Sequence, residues 1–223
     1  MNVAISELEV RLADCQQDYL DACRVRSAAY GHHNPELGPR FGEVEELDQA
    51  DGTVVLLCRH RSTGECLGTT RIQTSASCPL LLESSLRLPA WLRNRARAQI
   101  SRLAVMPGAS RMVKLLLMKA CYQYCLATQI RWLVIGARSA ALIRNYRSLG
   151  FKDVFEPGVW IALASGAGLP HQILALDVQG AQAAWQATKN RLLDFMTEPG
   201  DADPAQNAAN DRWSLSPTLQ MRA

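Results

Sequence analysis

The chain has 223 residues, 48% hydrophobic and 20% charged. That is the length of one large domain, or of one domain with a tail, and the balance excludes a disordered or fibrous chain. The formal net charge of +3 is unevenly placed: residues 1–51 carry eleven acids against four bases, whereas residues 84–152 carry thirteen Lys or Arg and no Asp or Glu. Such a stretch gives one face a positive field and points to an anionic partner, whether a phosphate-bearing cofactor, an acidic protein or nucleic acid.

Taken in chain order, residues 7–29 read as a helix with Leu8, Leu12, Cys15, Tyr19, Ala22 and Cys23 on one stripe, stopped by Gly31. Charges as early as Glu7, Glu9, Arg11 and Asp14 do not fit a signal peptide. Residues 31–51 form a polar loop with the acidic run Glu43, Glu45, Glu46, Asp48 and Asp51, and a loop of that length is more often functional than idle. Val54–Arg59 and Leu67–Gln73 read as a hairpin around Ser62-Thr63-Gly64-Glu65. Pro79–Arg95 is a helix or helical loop broken at Pro89, and Ile100–Val105 is a short strand cut off by Pro107-Gly108. Ser110–Ala127 is a helix with Ser110 as N-cap, Arg131–Gly136 a strand, and Ser139–Leu149 a helix closed by Gly150. Val159–Leu163 and Gln172–Val178 are strands and Ala181–Met196 a last helix. From residue 197 on, Pro, Gly, Asp, Asn and Ala predict a flexible tail, so the domain expected is 1–196.

This order, a hairpin followed by alternating strands and helices, predicts an α/β fold with a mixed central sheet flanked by helices and an extra C-terminal helix. No GxGxxG or GxxxxGK[ST] occurs, which disfavours a nucleotide-type parallel sheet. Pro170 and His171 interrupt the longest apolar run, so no transmembrane segment is expected. Seven cysteines, an odd number with no CxxC pair, predict no disulfide framework, and the cytoplasm is the expected compartment.

Ile100-Ser101-Arg102-Leu103-Ala104-Val105 before a helix, then Trp132-Leu133-Val134-Ile135-Gly136, then Asn145-Tyr146-Arg147-Ser148-Leu149-Gly150-Phe151 resemble the GNAT acyltransferase superfamily. Arg24-Val25-Arg26, the acidic loop ending at Asp48, Gly68-Thr69-Thr70-Arg71 and Ile100-Ser101-Arg102 resemble the branch of N-acyl amino acid synthases and acyl-homoserine lactone synthases. Ala29–Leu37 and Pro170-His171 are similar to the N-acyl amino acid synthase side, and the resemblance spans residues 20–196.

Acyl transfer from a thioester to an amine needs a deprotonated amine, a polarised carbonyl and a stabilised leaving thiolate. The resemblance implies that Leu103, Ala104 and Val105 offer main-chain N–H groups to the thioester arm. It also implies that Tyr146, in the segment with Asn145, donates a proton to the leaving sulfur; the alternative is a core tyrosine. Asp48 and Glu46, two apart in the acidic loop, are the candidate amine-binding or base groups. Arg26, Arg71 and Arg102, with Gln99, are the candidate acceptor-binding set, because arginines among apolar residues need anionic partners.

Two departures from the family pattern bear on the chemistry. Gln99 stands where related synthases carry glutamate, and an amide cannot take a proton. The turn Met106-Pro107-Gly108-Ala109-Ser110-Arg111 has one glycine where coenzyme A users carry a repeat. With Arg111 and Lys114 it suits the single phosphate of phosphopantetheine, which points to acyl carrier protein over acyl-CoA as co-substrate, with no bound cofactor. The basic block Arg87, Arg93, Arg95, Arg97, Arg111, Lys114 and Lys119 complements an acidic carrier.

Other readings are weaker. His32-His33 on a loop are not a zinc pair, and Cys121 and Cys125 read as core. The basic block lacks the interleaved aromatics of a nucleic-acid surface. The expected activity is N-acylation of a small amine, an amino acid, with a medium or long acyl chain; the alternatives are acyl-homoserine lactone synthesis and a catalytically silent carrier- or acyl-binding module.

Overall fold

The computed structural model describes residues 4–198, and the expected tail lies outside the described residues from 199 on. The first element corrects the sequence reading. Leu8–Leu12 are a strand, β1, because Leu8, Val10 and Leu12 alternate with Glu9 and Arg11, and the alternation outweighs the helical stripe. Helix α1 (Gln16–His33) starts only after Cys15, and buried Asp18 in its first turn accepts from the Asp14 N–H at 3.1 Å and from Arg11 and Arg59. Gly31 does not stop this helix. It lies inside it, against Gly38 of the short α2 (Leu37–Arg40), where an added Cβ would sit 3.3 Å from the Gly38 Cα.

The hairpin follows as expected, β2 (Thr53–His60) with β3 (Cys66–Thr74). Residues 79–95 hold only a 3₁₀ turn at Leu81–Ser84 and a single turn of helix, α3 (Ala90–Arg93). Strand β4 (Arg97–Val105) begins three residues before the predicted Ile100. Helix α4 (Arg111–Ala127) is capped by Ser110, whose Oγ accepts from the Met112 N–H at 3.3 Å. Then come β5 (Trp132–Ala137), α5 (Ala140–Ser148), β6 (Lys152–Asp153), β7 (Ile161–Ala162) and β8 (Pro170–Asp177). The last predicted helix is two, α6 (Ala181–Ala187) and α7 (Leu193–Thr197), divided where Lys189 takes a left-handed φ of 49°.

The sheet runs β1-β2-β3-β4-β5-β8-β6, with β7 also on β8. Every pairing is antiparallel except β4 with β5. Alternation along β2 sends Leu56 and Cys58 to the face covered by α4–α7, and Val55 and Leu57 to the face covered by α1. The rest of that second face is closed by Leu80, Leu82, Leu88 and Leu92, which pack on Val134, Ile173 and Ala175. On the first face, a Cβ at Gly68 of β3 would lie 2.4 Å from Val113 Cγ1, so glycine lets α4 approach the sheet.

One feature of the topology positions the site. The β4–β5 ladder runs only from Arg97–Trp132 to Ile100–Ile135. Beyond it, β4 continues through Val105 without β5, while β5 stays paired with β8 to Ala137. The two parallel strands therefore splay, and the wedge between them is open.

Candidate functional site

A cavity of about 330 Å³ fills the wedge, a size typical of small-molecule sites. One wall is β4 from Gln99 to Val105, the other is Ile135, Gly136 and Arg138 with His171 of β8. Opposite Thr70, the β3–β4 register slips between Thr69 and Arg71, so two β4 residues, Arg102 and Leu103, face one on β3. Arg102 accordingly takes φ 54°, a conformation costing a non-glycine residue roughly 1–3 kcal/mol. The bulge bends β4 away from β5 and leaves Leu103, Ala104 and Val105 on the cavity wall.

A smaller recess of about 210 Å³ adjoins it and shares Phe41, Arg102 and Ser165. Five charges form one network in and behind its wall. Arg102 donates to Glu45 through Nε at 2.6 Å and Nη2 at 2.5 Å, and Arg71 Nη1 donates to Glu45 at 3.0 Å and to Asp48 at 3.2 Å. Arg26 grips Asp48 with two bonds at 2.7 and 2.9 Å, both side chains 1% exposed. Three guanidiniums against two carboxylates leave an excess positive charge, and Arg71 Nη2, in a fully buried side chain, has no hydrogen-bond partner among the described residues. The ring of Phe41 stacks under Arg102 at 4.3 Å and packs against Tyr30 at 4.7 Å, closing the recess from the α1 side. Thus Arg71 and Arg102 meet at one carboxylate.

The acidic loop differs from its sequence reading. Asp48 is not on the cavity wall: its two oxygens take two bonds from Arg26, one from Arg71 and one from the Glu45 N–H, which leaves no lone pair for a substrate proton. Burial pushes its carboxyl pKa up, but the bonds and charge of Arg26 and Arg71 outweigh this and hold it below the usual range. Glu46 is exposed and lines neither recess. The acid that does is Glu45, whose carboxyl burial also pushes up and Arg102 and Arg71 pull down further. The sequence reading holds Glu45 only as an extension of the Glu46–Asp48 pair, because an extended loop pairs 46 with 48, whereas residues 46–48 form a 3₁₀ turn, which eclipses positions 45 and 48.

Gln99 lines the cavity, but its Oε1 accepts from the Leu82 N–H at 2.9 Å. Its register partner Gln73 likewise accepts from the Leu81 N–H at 2.8 Å, so two glutamines clamp the 3₁₀ turn against the sheet. Arg26 reaches neither recess, and its guanidinium is spent on Asp48. Asn145 is exposed and off the cavity wall; Leu142 and Tyr146, one turn apart, are the α5 residues on it. Arg111 is exposed at the start of α4, one turn before Lys114, which does line the cavity.

Tyr146 is 3% exposed, with its ring against Phe151 and Lys114 Nζ 5.0 Å over its face. Burial pushes its phenol pKa well above 10, so it holds its proton at any physiological pH. The basic block does not form one face. Lys119 is buried under Phe195, and Arg97 is paired with Glu83 at 2.9 Å. Arg93, Arg95 and Arg97 stand at the start of β4, whereas the cavity is at its other end; the basic side chains lining the cavity are Arg102, Lys114 and Arg138, with exposed Arg111 one helical turn before Lys114. His32 and His33 are both exposed, and the group of metal-ligand dimensions found among the described residues, Asp14, Cys15 and Asp18, has Asp18 already committed to Arg11 and Arg59.

No family model matches the sequence, and no curated protein matches it. Solved structures do. FeeM, an N-acyl amino acid synthase from uncultured soil microbes, superposes with TM-score 0.62 at 16% identity, over 84% of this chain and 97% of that one. A putative GNAT-family acetyltransferase from Desulfovibrio desulfuricans gives 0.55 at 18% identity, over 77% and 99%. An acyl-CoA N-acyltransferase from Pseudomonas aeruginosa gives 0.53 at 17%, over 75% and 98%. The fold is the GNAT fold. Among the described residues no helix is long and apolar enough to cross a membrane.

Proposed function

We propose that this GNAT-fold chain is an N-acyltransferase that moves a medium or long acyl chain from acyl carrier protein to the amine of a small acceptor, an amino acid. The observation that carries this reading is the juxtaposition at Arg102. On one side lies a wedge with an unpaired main-chain edge, on the other a recess with surplus positive charge and an orphaned guanidinium N–H. The thioester arm lies along Leu103–Val105, where strand N–H groups polarise its carbonyl. The acceptor's carboxylate sits at Arg71 Nη2, and Glu45 fixes the forks of Arg71 and Arg102 that shape this subsite.

Carrier protein is favoured over coenzyme A by the β4–α4 turn. It has one glycine, Gly108, and its capping hydroxyl already holds the Met112 N–H, which leaves room for one phosphate rather than a pyrophosphate wrap. Lys114 has no carboxylate partner among the described residues and is pushed toward neutrality by burial, so a phosphate beside it supplies the missing counter-charge.

Charge reversal at the mouth, Arg111→Glu with Arg138→Glu, should slow carrier-protein association roughly tenfold, and raised salt should do the same to the wild type. Arg95→Glu, at the far end of β4, should leave association unchanged. Surface plasmon resonance with an acyl-loaded carrier measures all three. Equal losses from Arg95→Glu would move the dock, and acyl-CoA turning over as well as acyl-carrier would remove the donor assignment. A second reading, a silent carrier-binding module, is favoured by one fact: no carboxylate lines the wedge among the described residues. It requires carrier binding with no turnover of any amine.

A further inference from the structure

Among the described residues no carboxylate lines the wedge, yet an amino-acid ammonium must lose a proton before its nitrogen can attack. The titratable groups that face the cavity are Arg102 from β4, Arg138 from the end of β5, Lys114 from α4, Tyr146 from α5, and Tyr30 and His33 from α1, with His171 from β8. Arginines and high-pKa phenols do not accept a proton near neutrality, Lys114 is taken up by the donor's phosphate in the reading above, and His33 is exposed. One group remains inside.

The imidazole of His171 is built into the wall. Its Nδ1 lies 2.7 Å from the Leu169 carbonyl oxygen, which can only accept, so Nδ1 carries the proton and Nε2 carries the lone pair. Nε2 has no hydrogen-bond partner among the described residues. The ring rests between two glycines: a Cβ on Gly166 would fall 2.6 Å from His171 Cε1, and one on Gly136 3.3 Å from Cδ2. At Gly166 the ring is the first group a side chain would meet, whereas at Gly136, the first β5 residue past the splay, Leu163 Cδ1 at 3.1 Å is met just before it.

We propose that His171 is the general base of this acyltransferase, a role that rests on the N-acyltransferase reading above. Nε2 takes one proton from the acceptor ammonium and releases it to solvent. The freed nitrogen attacks the thioester carbon, the C–N bond forms and the C–S bond breaks. The second nitrogen proton replaces the one that Tyr146 gives to the departing sulfur, so the products are amide, thiol and one proton. Burial, chiefly, with the nearby Arg138 charge, holds the imidazole pKa below its ordinary 6.5 against the raising effect of the Leu169 bond. The base is therefore neutral and ready at pH 7.

The test compares kcat at saturating acceptor from pH 5 to 9 for wild type and His171→Asn, whose amide N–H₂ keeps a donor for Leu169 while deleting Nε2. The wild type should lose activity as pH falls through the imidazole pKa. The variant should lose roughly 10²-fold or more in kcat, and this acidic limb with it. Nitrogen-15 NMR of wild-type His171 should show the Nδ1–H tautomer and a titration coincident with the kinetic limb, a readout that does not need the variant to fold. A His171→Asn protein with wild-type kcat and limb would overturn the proposal and leave the acyltransferase reading standing. So would an imidazole titrating away from the limb, or a limb lost in His33→Asn instead. A wild type that binds acyl-carrier protein yet acylates no amine would overturn that reading, and this proposal with it.

Discussion

Asp48→Asn should unfold this protein more readily, and its effect on chemistry should be secondary. The carboxylate receives four hydrogen bonds in a site 1% exposed. The asparagine amide would present N–H₂ to guanidiniums that can only donate, leaving Arg26 and part of Arg71 as buried, unpaired charges. Removing one partner from a buried pair costs about 3–5 kcal/mol, against a total of about 5–15 kcal/mol for a typical domain. Urea unfolding should show the midpoint falling steeply with an unchanged slope. The pH dependence has a definite sign. The folded carboxyl titrates below its ordinary 3.8, so its contribution is complete above that value and is lost as pH falls through the folded pKa. An Asp48→Asn protein with the wild-type midpoint and a crippled turnover would restore to Asp48 the base role that its sequence position suggested.

Tyr146→Phe should do the opposite: slow the reaction roughly 10²–10⁴-fold and leave the fold intact. The ring contacts with Phe151 and Lys114 survive the change, and the hydroxyl has no protein partner among the described residues to be orphaned. This phenol is a weaker acid than the thiol it serves. It can deliver its proton to sulfur only because the protonated nitrogen of the tetrahedral intermediate, a far stronger acid, restores it in the same step. The loss should therefore fall on kcat, with thermal unfolding near wild type. A Phe variant turning over at wild-type rate would make Tyr146 a packing residue.

The elements whose hydrophobic period is unambiguous were legible: α4 with its Ser110 cap, the β2–β3 hairpin, β4 and β5 all lie where the pattern puts them, within a few residues. At β1 two periods coexist. Leu8 and Leu12 fit a helical stripe and Val10 fits a strand, and pairing with β2 decides between them. The wedge was readable only as a resemblance, because its working groups are main-chain atoms. The acidic loop failed for a local reason, one 3₁₀ turn that exchanges Glu46 for Glu45. Gln99 carries no sign in its own segment that it clamps the Leu82 backbone 17 positions away. His171 was visible only as part of Pro170-His171; the signal that marks it, glycines at 136 and 166, becomes meaningful only when β5 and β8 are paired.

The most direct measurement of the central claim is a transfer assay. Purified protein is incubated with a long-chain acyl carrier protein and an equimolar mixture of amino acids, and the products are read by mass spectrometry. The account predicts N-acyl amino acids, formed with release of the free carrier thiol. Their yield should fall when the acceptors are replaced by the corresponding decarboxylated amines, because those bring no carboxylate to Arg71 Nη2. Carrier thiol released only by hydrolysis, with no amide from any acceptor, would contradict it.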